Sequence, residues 1–196
     1  MYTSPNSLIL GFHGCDRAVG EKVLSGKAQH LSHSENEYDW LGHGVYFWEN
    51  NPDRALQFAR ELREKPRKGK APTREPFVLG AVIDPGKCLN LLESKSLRIV
   101  QESYEFLCAT VAVAGTRMPE NKRDEETGEL LRRNLDCAVI ETLHGQGKSR
   151  YDTVRGVFFE GPPLYAGSGF REKNHIQICV RTPSCIKGYF RLLPVA

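Results

Sequence analysis

Three short stretches of this chain carry polar residues where a strand-built core has no need of them. Gly11-Phe12-His13-Gly14 sets a histidine at the end of an apolar run. An imidazole can donate, accept or change charge near neutral pH, and the glycine after it leaves a backbone N–H and C=O open to a ligand. Leu41-Gly42-His43-Gly44-Val45-Tyr46-Phe47-Trp48-Glu49 packs glycines, aromatic rings and a carboxylate into one segment. Glycines lack a Cβ and admit a close approach by backbone or ligand, while Tyr46 offers a ring face and a hydroxyl to a planar group. The third stretch is His175-Ile176-Gln177-Ile178-Cys179-Val180, which alternates. With Ile176, Ile178 and Val180 inward, Gln177 looks to the other side of the sheet. Each stretch alone reads as something ordinary: a strand-end histidine, an aromatic core strand, an exposed strand glutamine. Together they describe a flat pocket with hydrogen-bonding walls.

The elements that must position these residues can be read in chain order. Ser7 to Phe12 is a buried strand, and Asp16 caps a helix from Arg17 to Leu24 that stops at Gly26. Lys27 to Asp39 is a polar loop. After a turn at Asn50-Asn51 a helix runs from Pro52 to about Lys65, with proline in its first turn and Asp53 near the positive end of its dipole. Phe77 to Ile83 and Cys88 to Leu92 are strands around the turn Asp84-Pro85-Gly86-Lys87. Ser94 to about Ala114 is a helix with Leu97, Val100, Tyr104, Leu107 and Cys108 on one face. Glu129 to Leu143 is a further helix, with Leu131, Leu135, Ala138, Val139 and Thr142 inward. Val154 to Glu160, His175 to Arg181 and Ile186 to Leu193 are strands, and Gly161 to Lys173 is a glycine-rich loop. About six strands split early and late do not alternate with helices as a doubly wound sheet does. The expected class is α+β with two small, mostly antiparallel sheets, in a single domain over residues 1–196.

Composition bounds the function loosely. The chain has 196 residues, 40% hydrophobic and 26% charged, with a net charge of +3. That is ordinary for a globular domain with a sizeable core and permits, without requiring, an anionic ligand or nucleic acid. No apolar run approaches the ~20 residues that span a bilayer, and Met1 to Asn6 lacks the basic start and apolar run of a secretion signal. The six cysteines are scattered, with no C-x-x-C pair. Reduced, mostly buried thiols and a cytoplasmic setting are expected, with no metal site.

The first two stretches, with Asp53-Arg54-Ala55 after them, resemble the first two motifs of the ADP-ribosyltransferase superfamily. The branch they look like contains the poly(ADP-ribose) polymerases and diphtheria toxin and is known for a His-Tyr-Glu signature. Its second motif reads roughly Gly-x-Gly-Ile-Tyr-Phe, followed by a helix bearing a small residue where Ala55 stands. The resemblance implies the split-sheet fold of that superfamily and NAD as co-substrate. It implies that His13 bonds a ribose of NAD, that the Gly14 backbone holds the nicotinamide carboxamide, that Tyr46 stacks on the nicotinamide beside Gly44, and that Ala55 lets its helix pack close beneath. The third motif falls on the strand from His175, where the usual glutamate is Gln177; Glu160, before the loop, is the alternative carboxylate. The second stacking tyrosine of the family is replaced by Gln57, with Phe58 next to it.

The expected activity is therefore single transfer of ADP-ribose from NAD to a protein or nucleic acid, with release of nicotinamide. An intracellular toxin or defence enzyme fits this expectation, with an inhibitor or antitoxin protein as a further partner and no membrane. The rival readings are a non-catalytic NAD- or ADP-ribose-binding module and an NAD glycohydrolase. Arg17 could reach the NAD pyrophosphate or be a solvated helix arginine. Arg155 and the basic run Arg63 to Arg74 could meet a nucleic acid backbone or only solvent, and His43 and Glu49 could touch the acceptor.

Overall fold

Asp16 ends the first strand, β1 (Ile9–Asp16), and caps the first helix, α1 (Arg17–Leu24). One carboxylate oxygen accepts from the Ala18 N–H at 2.9 Å. The other takes the N–H groups of Arg74 and Glu75 at 2.7 and 3.0 Å, which ties the helix start to the chain entering β3 (Pro76–Ile83). Asn51 does the same for α2 (Pro52–Glu64), its side chain accepting from the Arg54 N–H at 3.0 Å. The remaining elements are β2 (Val45–Glu49), β4 (Cys88–Asn90), α3 (Ser94–Ala114), β5 (Asn121–Lys122), β6 (Arg132–Arg133), α4 (Asn134–Gly145), β7 (Thr153–Phe158), β8 (His175–Val180) and β9 (Ile186–Arg191). This computed structural model describes residues 8–66, 69, 71–124, 128–147 and 150–193. Ser7, where the first strand was expected to begin, and Arg67, Lys68 and Lys70 of the basic run lie outside the described residues.

The fold is α+β with a mostly antiparallel sheet, but its strands are not divided as expected. Seven strands form one sheet in the order β4-β7-β8-β2-β1-β3-β9, and β5 and β6 form a separate pair. Only the β4–β7 pairing is parallel among the described strands. The continuity hangs on a short joint. β1 registers with all eight positions of β3, from Ile9↔Ile83 to Asp16↔Pro76, yet with β2 only at Gly11↔Glu49 and Phe12↔Trp48. Past Phe12 the two strands part.

Both faces of the sheet are covered. On one face Val45, Phe47, Leu79, Ile83, Ile178 and Val180 are buried under α1 and the loop carrying Leu31. The other face has two separate clusters. Phe12, Trp48 and Ala55 pack with Phe58 beneath α2. Leu89, Ile140, Leu143, Val154, Phe158 and Cys179 pack with Tyr46 beneath α3 and α4. The central strands β2 and β8 contribute to both faces, so that in β8 Cys179 is buried on one face as Ile178 and Val180 are on the other. Cys15, Cys137, Cys179 and Cys185 are buried, and all six thiols are free.

Two helices differ from their expected faces. In α3 the buried residues are Ser96 and Ser103, whereas Leu97 and Tyr104 are exposed. Val100 packs on the core as expected, and Leu107 and Cys108 are half-buried. The Ser103 hydroxyl, donating to the Val139 carbonyl at 2.8 Å, turns the helix so that the serines lie innermost against α4. In α4 the buried residues are Cys137, Val139, Ile140 and Leu143, and Leu131 lies outside the helix and exposed. α4 begins at Asn134 because the Asn121 side-chain oxygen accepts from the Leu135 and Asp136 N–H groups at 2.9 and 3.2 Å.

Candidate functional site

The parting of β1 from β2 defines the site. At the first position beyond the joint, His13 turns its ring across the gap, and its Nδ1 lies 2.8 Å from the Tyr46 carbonyl. A carbonyl oxygen only accepts, so Nδ1 carries the proton and Nε2 keeps its lone pair. Nε2 has no hydrogen-bond partner among the described residues. The ring meets Phe47 edge-on at 5.9 Å. Burial lowers the His13 pKa from 6.5 against the opposing pull of the Tyr46 carbonyl, which favours the neutral ring.

Tyr46 is fixed at its hydroxyl. The O–H donates to the Gly42 carbonyl at 2.7 Å and accepts from the Leu41 N–H at 2.9 Å. Burial of this hydroxyl raises its pKa well above 10.0, while the residue as a whole is half-buried. The ring is therefore held at its polar end, and part of its surface stays open. Gly42 makes the turn that supplies these partners with φ of +77°, a conformation suited to glycine.

The glycines beside these residues do a different job from the one expected of an open ligand wall. A Cβ on Gly14 would lie 2.0 Å from the Ala55 carbonyl oxygen, so α2 packs directly on β1 here. Ala55 itself is fully buried. A Cβ on Gly44 would meet Cys179 Sγ and the Val180 carbonyl oxygen, both at 2.6 Å. The close approach at Gly44 is thus by β8.

Gln177 lies opposite Trp48 on β2 and opposite Gly156 on β7. Tyr46 pairs with Cys179, so Gln177 is the diagonal neighbour of Tyr46 on the same face, about 7–8 Å apart by strand geometry. That face is where the α2 cluster ends at Trp48 and the α4 cluster begins at Tyr46. Gln177 sits on the seam. Its amide nitrogen is 3.0 Å from His175 Nε2, and His175 Nδ1 is 2.6 Å from the Lys173 carbonyl. The His175 ring stacks on Phe158, with centroids 5.3 Å apart and planes at 16°.

Glu160 is placed beside this group. Its carboxylate takes Arg54 Nη2 at 3.2 Å and lies 4.0 Å from His175 Nδ1. Arg54 reaches in from α2 with little exposure. Its Nη1 is 3.5 Å from Glu61, which also binds Lys173 at 2.8 Å, and its guanidinium carbon is 5.6 Å from the centre of a Trp48 ring. Arg54 Nε and Nη1 and the Trp48 indole Nε1 are buried without a hydrogen bond among the described residues. Phe58 packs on Trp48 at 4.9 Å, putting it on the α2 side of the seam.

Arg17 stands apart. It is tied to Glu75 and Glu21 and lies 5.1 Å from the centre of the Phe77 ring. The structure thus brings His13, Gly14, Tyr46, Ala55, Gln177 and Glu160 onto neighbouring elements and leaves Arg17 elsewhere. His43 and Glu49 are also engaged within the fold. The His43 N–H donates to Glu141 at 2.8 Å, Arg181 forks the same carboxylate, and Arg155 forks Glu49. Burial pushes the Glu141 pKa up, but the Arg181 fork and the His43 N–H outweigh it and hold it below its ordinary value.

Arg54, Lys173 and His175 were not singled out from the sequence as site residues. A buried arginine on a helix and a histidine opening a strand look like any others until β8 is paired with β2. Among the described residues no group of three or more His, Cys, Asp or Glu is placed to hold a metal ion, and no helix is long and apolar enough to cross a membrane. A comparison with known protein families, with curated proteins and with solved structures finds no match for this chain in any of the three.

Proposed function

We propose that this chain is a mono-ADP-ribosyltransferase, which transfers ADP-ribose from NAD to a protein or nucleic acid acceptor and releases nicotinamide. One observation carries the reading. Three motifs far apart in sequence, at His13, Tyr46 and Gln177, fall on the adjacent strands β1, β2 and β8, where the sheet parts. An ADP-ribosyltransferase-like split core needs such a parting, and the packing of Ala55 on Gly14 fits a helix pressed beneath the nicotinamide subsite.

The open groups suit NAD. His13 Nε2 is an acceptor for a ribose hydroxyl, the parted edge of β1 at Gly14 offers backbone to the carboxamide, and Tyr46 offers a ring face. Cleavage of the bond between nicotinamide and ribose develops positive charge on the sugar as a neutral base departs. Holding both ends of that bond is positioning catalysis. An acceptor on the ribose 2′-hydroxyl strengthens as the charge grows, and Gln177 serves as that acceptor. A neutral amide orients the ribose hydroxyl but neither stabilises the cation by charge nor acts as a base, as a carboxylate would, so single transfer fits better than chain growth. The placement of Glu160 in an ion pair with Arg54 supports giving the ribose contact to Gln177.

The deciding experiment incubates the protein with labelled NAD, with and without cell lysate, and measures nicotinamide release and label transfer. Transfer that requires lysate, and is lost in His13→Ala and Tyr46→Ala, is the expected result. Binding of NAD without release of nicotinamide in any extract would instead support a binding module. Equal release with and without lysate would make the protein an NAD glycohydrolase.

A further inference from the structure

We propose that His175 is a positioning residue that locks the Gln177 side chain with its NH2 turned back into the protein and its Oε1 presented to the seam. The assignment of a ribose as the bound group rests on the function proposed above; the hydrogen-bond arrangement does not.

The chain of donors and acceptors has one consistent solution. The Lys173 carbonyl can only accept, so the contact of 2.6 Å requires a proton on His175 Nδ1. In a neutral ring Nε2 then carries a lone pair and must accept. The Gln177 group 3.0 Å away must therefore be the amide NH2. The flipped amide would set two acceptors against each other at that distance and leave both unpaired in a half-buried place. With the NH2 committed, Oε1 has no partner among the described residues and is available to a ligand hydroxyl. A lone glutamine on a strand would present either end of its amide; this one presents its acceptor.

The neutrality of His175 holds the lock, and the groups around it favour that state on balance. The side chain has no solvent exposure. Burial lowers its pKa from 6.5, and Arg54 on α2 works in the same direction, while the Lys173 carbonyl and Glu160 oppose them. Phe158 on β7 and Trp48 on β2 enclose the ring without charge, at 5.3 and 6.1 Å between centroids. Protonation of Nε2 would turn it into a donor, rotate the amide, and offer the ligand an NH2 in place of the oxygen. The same arrangement gives a glutamate at position 177 a fate different from a simple restoration of charge. A carboxylate has no proton to give Nε2, so it would pair with a protonated His175 and be partly spent on it.

Nuclear magnetic resonance of protein labelled with 15N-histidine tests this without reference to activity. At pH 7 the wild type should show His175 neutral, with Nδ1 protonated and Nε2 bare. In Gln177→Glu the ring should be an imidazolium at the same pH. A neutral ring protonated at Nε2 in the wild type, or a neutral ring in Gln177→Glu, would overturn the lock. If nicotinamide release is found, His175→Phe keeps the stack on Phe158 but removes the acceptor. It should lower kcat about tenfold, the worth of one hydrogen bond, with KM nearly unchanged. His175→Gln, whose side-chain oxygen can accept from Gln177, should recover most of that loss. A purely structural histidine would not separate Phe from Gln in this way, and equal kcat in the two variants would count against positioning. If the wild type never releases nicotinamide while the resonances are as expected, the functional reading fails and the lock stands.

Discussion

β8 carries a polar cluster at each end, and the two are built on opposite terms. At its far end Arg181 forks Glu141, the His43 backbone N–H donates to the same carboxylate, and Gly42 leaves out the Cβ that would collide with both side chains. Both oxygens of Glu141 are engaged. At the near end the buried Arg54 Nε and Nη1 and Trp48 Nε1 have no hydrogen bond among the described residues, and Gln177 Oε1 stands open to the seam beside them. Native interiors leave few polar atoms unpaired, because each costs about 1–3 kcal/mol. A cluster that closes on itself holds the fold. One that stays open at several atoms costs stability and is worth keeping where a ligand completes it.

The sharpest way to break this comparison is to exchange the consequences of mutation at the two ends. Arg181→Ala leaves the Glu141 carboxylate half-buried with its principal partner gone. It should cost about 3 kcal/mol of stability, the lower end for a broken buried pair, since both side chains keep some exposure. Chemical denaturation measures the cost, and nicotinamide release per folded molecule should stay close to wild type. A stable Arg181→Ala protein with no turnover would show that the closed cluster also serves the chemistry.

At the open end the expected loss is of the other kind. Gln177→Ala should lower kcat/KM on the order of a hundredfold if its contact forms mainly as charge develops on the ribose. Its stability should fall by no more than about 1 kcal/mol, the worth of the bond to His175. Full activity in Gln177→Ala would move the ribose contact to Glu160. In that case Glu160→Gln should take over the hundredfold loss, even though its ion pair with Arg54 places it in the structural network.

The same contrast explains what could be read in the sequence. The cap at Asn51 became visible only in the structure. The starts of α1 and α2 were legible all the same, because Asp16 caps the first and Pro52 and Asp53 stand in the first turn of the second. The start of α4 was not, since its cap comes from Asn121 across an intervening strand pair. The inward face of α3 was legible only in part: Val100 packs on the core, but Leu97 and Tyr104 are turned out and the buried places go to Ser96 and Ser103, whose partner lies on α4. The sheet seemed to be two because its joint spans only two residue pairs, too little to leave a pattern of its own. In the site, His13, Tyr46 and Gln177 stood out because each breaks a local apolar rhythm. His175 and Arg54 stayed hidden because their roles exist only through partners on other elements. The closed cluster was equally hidden: His43 and Arg181 are far apart in sequence, and nothing local marks Glu141 as their meeting point.

The smallest expected effect is the pH dependence of stability, and it distinguishes neutral histidines from charged ones. His13, His144 and His175 all have pKa values lowered from 6.5, chiefly by burial. In the unfolded chain each returns to about 6.5. Between the lowered folded values and 6.5 the unfolded state binds more protons than the folded one, so stability rises with pH across that window. It is fully present above 6.5 and is lost as pH falls through the folded values. Thermal unfolding followed from pH 8 to pH 5 should therefore show a falling midpoint that begins near 6.5. Substituting His175 by Gln should flatten the slope by its share, because glutamine does not titrate. A midpoint that rises on acidification would mean that these rings are charged in the fold, and with a charged His175 the Gln177 amide would turn its NH2 to the seam.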